Sequence, residues 1–124
     1  MTLFVFPLYS QVHKHRAYES STKYFDNYKQ TWTDWSSWVS VNILITIDLE
    51  NERITIYNQA RSHYDIVDSE GYEDKELEAY IMELKTVDQK GVQSMVRLIK
   101  YKTGLSQMYL IYNNAIIAYN VRRL

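Results

Sequence analysis

"WVSVNILITIDLENERITIYN", Trp38 to Asn58, decides the fold. From Val39 to Leu49 every odd position is apolar: Val39, Val41, Ile43, Ile45, Ile47 and Leu49. The even positions are polar apart from Leu44. Side chains alternate across a strand, so this period of two describes a strand with one buried face. After Glu50 and Asn51 the apolar phase moves to even positions, Ile54 and Ile56. A two-residue turn there, with Asn51 able to take positive φ, predicts a hairpin. It sets Ile47 opposite Ile54 and Ile45 opposite Ile56 on the core face. Asp48 then meets Arg53 as a cross-strand ion pair, Thr46 meets Thr55, and Leu44 meets Tyr57 on the other face.

The same alternation carried backward enters "TWTDWSSW", Thr31 to Trp38, which holds all three tryptophans. The phase assigns Trp35 to the core and Trp32 and Trp38 to the opposite face. A bulge or turn at Asp34, Ser36 and Ser37 would break that phase. Trp32, Trp38, Leu44 and Tyr57 together are the candidate partner or ligand surface: an apolar, aromatic patch on an outward face.

Further along, "MYLIYNNAIIAYNV" reads as a second hairpin turning at Asn113-Asn114, with both asparagines at positive φ. Leu110 then faces Ile117, and Ile111 faces Ile116. In "EAYIMELKTVDQKGVQSMVRLIKY" a turn at Asp88-Gln89-Lys90-Gly91, with Gly91 at positive φ, gives a third hairpin. Tyr80, Met82 and Leu84 would share one face of it. The segment 74–85 also fits a short helix, since Leu77, Tyr80, Ile81 and Leu84 have i, i+3, i+4, i+7 spacing. Strands at Arg16–Tyr24 and His63–Val67 bring the total to seven or eight. The expected fold is all-β, one antiparallel meander closing as a small barrel or sandwich. The 124 residues suit one domain, spanning 11–124.

Residues 1–10 raise a separate expectation. "MTLFVFPLYSQ" is apolar up to Tyr9, and the small Ser10 precedes Gln11. It reads as the end of a signal peptide, and hence as secretion or a periplasmic location. The other reading is an ordinary first strand with Phe4 and Phe6 on one face. The apolar run is too short to span a bilayer.

The motifs "WTDWSSWVSVNILITIDLENERITIYN", "TVDQKGV" and "YLIYNNAIIAYNV" resemble an uncharacterised group of small, secreted, β-rich proteins of gut bacteria. The resemblance covers roughly residues 11–121 and implies a secreted β-domain. It carries no functional residue over.

Composition narrows the chemistry. There is no Cys, which excludes disulfides, thiolate metal sites and a cysteine nucleophile. A formal net charge of -1 gives no bulk attraction to nucleic acid. The sequence carries none of the glycine-rich phosphate loops, nucleophile elbows or zinc-protease motifs. No cofactor is expected. His13 and His15 share a strand face and read as exposed histidines near a chain end. Processing after Ser10 would create Gln11-Val12-His13, a four-nitrogen arrangement suited to Cu(II) or Ni(II). "YDIVDSEGYEDKELE" holds seven carboxylates and reads as a solvated acidic loop, whereas residues 89–124 contain no acid and six bases. The two segments are expected to pair within one domain.

These features point to an exported, non-catalytic binding or interaction module with a protein or glycan partner. The alternatives are a lipocalin-like carrier of an apolar small molecule and a toxin inhibitor or immunity-type protein. Hydrolysis of a glycan by paired carboxylates such as Asp65 and Asp68 is the enzymatic alternative.

Overall fold

The structure is a computed structural model and describes residues 12–124. The expectations for a signal remnant, or for a first strand around Phe4 and Phe6, fall outside these residues. The strands are β1 (Val12–Asp26), β2 (Thr31–Trp32), β3 (Val39–Asp48), β4 (Arg53–Tyr57), β5 (Ser62–Asp74), β6 (Ala79–Asp88), β7 (Gln93–Tyr101), β8 (Ser106–Ile111) and β9 (Ala115–Arg123). Each barrel strand pairs antiparallel with the next in the chain, and β9 returns to pair with β1. Eight strands therefore close as a barrel, with the two-residue β2 added beside β1. Closure removes the exposed sheet edge that an open meander would leave. The helical alternative over 74–85 does not occur; β6 begins there as a strand.

The β3–β4 hairpin has the register that alternation predicts. Ile45 pairs with Ile56, Ile47 with Ile54, Thr46 with Thr55 and Leu44 with Tyr57. The four isoleucines are fully buried. The ion pair differs. Asp48 lies opposite Arg53, but its carboxylate accepts from the backbone N–H and side-chain amide of Asn51, at 3.1 and 2.8 Å. Arg53 turns to the next strand and pairs with Asp65 at 3.1 Å. The turn is also longer than two residues. It spans residues 49–52, and Glu52, not Asn51, holds positive φ.

That turn is one of a set. Four connections, residues 27–30, 49–52, 58–61 and 75–78, each have four residues and end on a non-glycine at positive φ: Gln30, Glu52, Arg61 and Glu78. A left-handed non-glycine costs on the order of 1–2 kcal/mol. Each turn offsets this with a side-chain oxygen that accepts turn N–H groups. Asp26, Asp48 and Asp74 end their strands and accept from Tyr28, Asn51 and Leu77, while Asn58 accepts from Ala60. The connections 89–92 and 102–105 are also four residues long but have a glycine third, Gly91 and Gly104, both at positive φ. Asp88 caps the first of these by accepting from Lys90 and Val92. The Gly91 turn is as expected. The Asn113–Asn114 turn keeps the expected register, Leu110 with Ile117 and Ile111 with Ile116, but neither asparagine has positive φ.

Side chains fill the barrel. Ile45, Ile47, Ile54, Ile56, Leu84, Val96, Met108, Leu110 and Val121 form one buried cluster along the axis. Tyr64 and Tyr119 join it, and burial pushes the Tyr119 phenol up to about 12. A second, smaller cluster of Ala79, Ile81 and Ile99 lies on the outer wall under Tyr101 and Tyr109. The acidic segment is not a loop. It forms most of β5, ladders with β6, and ends in a four-residue turn. It meets the basic half of the chain through Glu73 and Lys102, 3.6 Å apart. No helix of the described residues is long and apolar enough to cross a membrane.

Candidate functional site: an aromatic outer wall

The site begins where β1 loses its partner. β3 ladders with β1 only as far as Val39 and Ser20. Beyond that, residues 33–38 run along the same edge without regular pairing: the Thr33 and Ser36 N–H groups donate to the Tyr24 and Thr22 carbonyls, and side chains satisfy the N–H groups of β1. Ser36 Oγ accepts from the Thr22 N–H at 2.9 Å, and Thr33 Oγ1 accepts from the Tyr24 N–H at 2.9 Å. Ser21 Oγ donates to the Ser36 carbonyl at 2.6 Å. A chain held this way has no period of two, so its side chains need not alternate.

The consequence is that all three tryptophans lie on the outer wall. Trp32, Trp35 and Trp38 are 38%, 41% and 44% exposed. The assignment of Trp35 to the core is therefore corrected: the irregular run between Thr33 and Trp38 separates it from the phase of β3. Trp35 packs edge-on against Tyr109 of β8, with ring centroids 6.1 Å apart. Trp32 packs edge-on against its strand partner Phe25, at 5.7 Å. Lys23 lies between the two indoles, with Nζ 4.9 Å from the Trp35 ring and 5.6 Å from the Trp32 ring. These contacts fix the rings while leaving much of each exposed.

Trp38 lines a cleft of about 420 Å³ together with Tyr18, Tyr101, Leu105, Gln107 and Asn120. Tyr18 reaches it because the β1 register shifts between Ala17 and Glu19, a bulge that inserts one residue and re-aims the strand. The Arg122 guanidinium stacks on the Tyr18 ring at 4.8 Å. A polar chain runs through this part of the wall. Tyr101 and Tyr109 hydroxyls donate to Gln107 Oε1 at 3.1 and 3.2 Å. Gln107 donates to Asn120 Oδ1 at 3.0 Å, and Asn120 donates to Glu19 at 2.9 Å. Every link points toward Glu19, so the amide orientations are fixed. Each amide keeps a second N–H, and Glu19 keeps a second oxygen, for a further partner.

Leu44 and Tyr57 face each other, as expected, but not beside Trp38. Six residues of extended strand separate Leu44 from Trp38, about 20 Å. Tyr57 instead stacks with Arg61, whose guanidinium lies 5.2 Å from its ring. The four candidate residues are thus spread over the wall: Trp32 lies beside Phe25 and Lys23, Trp38 lines the cleft, and Leu44 faces Tyr57. Gln107, Asn120 and Tyr18 were not singled out by the sequence. The polar positions alternating within "YKTGLSQMYL" are their nearest signal.

Asp65 is held by Arg53, and Asp68 accepts from the Ser69 N–H at 2.9 Å. Gln11 falls outside the described residues. Val12 and His13 enter the β1–β3 ladder opposite Asp48 and Ile47. Among the described residues no group of three or more His, Asp or Glu could hold a metal ion. His15 is corrected from exposed to buried, at 6% exposure.

Searches against protein-family models, curated proteins and solved structures found no match. The resemblance to gut-bacterial secreted proteins therefore rests on its sequence motifs alone.

Proposed function

We propose that this chain is an exported, non-catalytic module that binds a neutral glycan along the Trp38–Tyr18 cleft. One observation carries the reading: two aromatic rings at the lip of a cleft stand beside a fixed chain of amides, phenols and a carboxylate. Sugars present an apolar C–H face and a rim of hydroxyls. Rings accept the first, and planar amides and carboxylates bond the second. Trp35, Lys23 and Trp32 continue the aromatic surface and would extend the footprint. A barrel filled by side chains leaves no room for the long ligand of a lipocalin-like carrier, which favours an external surface. The pairing of Asp65 with Arg53 favours a non-catalytic role.

The test is a tryptophan-fluorescence titration against a panel of neutral oligosaccharides. Saturable binding is expected for at least one. Trp38→Ala and Gln107→Ala should weaken it by about tenfold or more, equivalent to about 1.4 kcal/mol. Trp38→Tyr should retain most of it. An unchanged affinity in Trp38→Ala, with folding verified by circular dichroism, would overturn the reading, as would a panel without a binder.

A further inference from the structure

One mouth of the barrel is lined by basic side chains, two of them cations, Lys100 and Arg123. His13 and His15 are two apart on β1 and both face inward, where His15 is the strand partner of Arg123 on β9. Lys100 of β7 reaches the same space, a cavity of about 190 Å³. Met82 and Leu98 line its apolar part and belong to the fringe of the core cluster. Five consecutive strands, β6, β7, β8, β9 and β1, thus each send an inward side chain to one small space.

Two features of this mouth are unexplained by folding. Among the described residues, neither Lys100 nor Arg123 makes an ion pair. Glu73, opposite Tyr80 on β5, is engaged by Lys102 instead. The second is His15 Nδ1, which is buried and has no hydrogen-bond partner among the described residues. Buried polar atoms are ordinarily satisfied, so Nδ1 is left unpaired within the wall, while the His15 residue itself lines the cavity. Burial, then Arg123, His13 and Lys100, hold the His15 imidazole neutral, with its pKa down at about 4. An anion would relieve this crowding of positive charge.

We propose that the mouth is a binding site for a short-chain monocarboxylate, its carboxylate between Arg123, Lys100 and His15 and its apolar tail on Met82 and Leu98. The guanidinium fork matches a carboxylate. The apolar floor disfavours a fully hydrated phosphate dianion, which would be stripped of water against methyl groups. The tail must be short, because Leu84, Met108 and Val121 fill the barrel below. Divalent cations are excluded from so positive a site.

The test is calorimetric titration of the full chain with sodium butyrate, with sodium phosphate and sodium chloride at matched ionic strength as the other arms. Butyrate is expected to bind saturably and to shift the His15 ring nitrogens in NMR spectra. Lys100→Met and Arg123→Gln, both at exposed positions, should each weaken binding at least about fivefold. Trp38→Ala should leave it unchanged, which separates this site from the outer cleft. Equal heats from phosphate or chloride, no saturation with butyrate, or full affinity in both mouth variants would each overturn the proposal.

Discussion

In the β3–β4 hairpin, counting residues in twos tells which face each side chain takes. In residues 33–38, which lead into it without a break, counting fails, and Ser36 and Thr33 decide the outcome by bonding to β1. The first stretch sends Ile45 and Ile47 into the barrel; the second leaves Trp35 on the outside wall. Both lie along the same strand, β1. The difference lies in how its N–H groups are satisfied. Backbone partners impose the pleat and its alternation, whereas side-chain partners satisfy the same groups and leave the chain free to present successive aromatics on one side.

The widest separation between the two regions is in stability. Ile45→Ala should cost about 2–5 kcal/mol, because a buried aliphatic side chain leaves a cavity that the barrel cannot close. Trp35→Ala removes a larger side chain but should cost only about 1–2 kcal/mol, mostly its edge contact with Tyr109. Urea unfolding of both variants checks this. If Trp35→Ala proved as damaging as Ile45→Ala, the tryptophan would belong to the core after all.

How far the chain could be read from its sequence follows the same division. The isoleucine register was legible because burial of one face leaves a single acceptable phase. The turns were legible only in part. Aspartates end β1, β3, β5 and β6, a signal present in the sequence, yet positive φ falls on Gln30, Glu52, Arg61 and Glu78, residues that do not advertise it. The Asp48–Arg53 pair failed because Asn51, three residues away, competes locally for the carboxylate. Trp38 and Tyr18 could not be joined from sequence, since a bulge in β1 and closure of the barrel by β9 bring their surroundings together. His15 was misjudged for the same reason: its burial comes from β9, more than a hundred residues later.

His15 sharpens the contrast between a regular strand and the groups it can trap. Its imidazole is held neutral in the folded barrel, whereas in the unfolded chain it takes a proton near pH 6.5. Between pH 6.5 and about 4 the unfolded state binds more protons, so stability falls as pH falls through that window. Above 6.5 His15 contributes nothing to the pH dependence, and below about 4 the loss is complete. After allowance for solvent screening the loss is on the order of 1–2 kcal/mol. His13, also lowered by burial and by Arg123, acts in the same direction. Asp48 and Asp88 are held below the usual carboxylate range, by Asn51 and by the Val92 N–H first of all, so their contributions are lost at lower pH. Urea midpoints at pH 7, 5.5 and 4.5 should decline in the native chain and decline less in His15→Gln. Parallel curves would remove His15 as the cause.

The smallest effect is the most direct test of why residues 33–38 escape alternation. Ser36→Ala deletes the oxygen that accepts from the Thr22 N–H but keeps the Ser36 backbone, which still donates to Thr22 and accepts from Ser21. The expected loss is about 1 kcal/mol, that of one hydrogen bond. Ser40→Ala, on the regular and exposed start of β3, is the matched control and should be close to neutral. The near-ultraviolet circular dichroism of the tryptophans should change in the first variant and not in the second, because Ser36, unlike Ser40, helps to anchor the chain that carries Trp35. If the two serines behave alike, side-chain bonding is incidental, and the outward turn of Trp35 must come from its own packing on Tyr109 and Lys23.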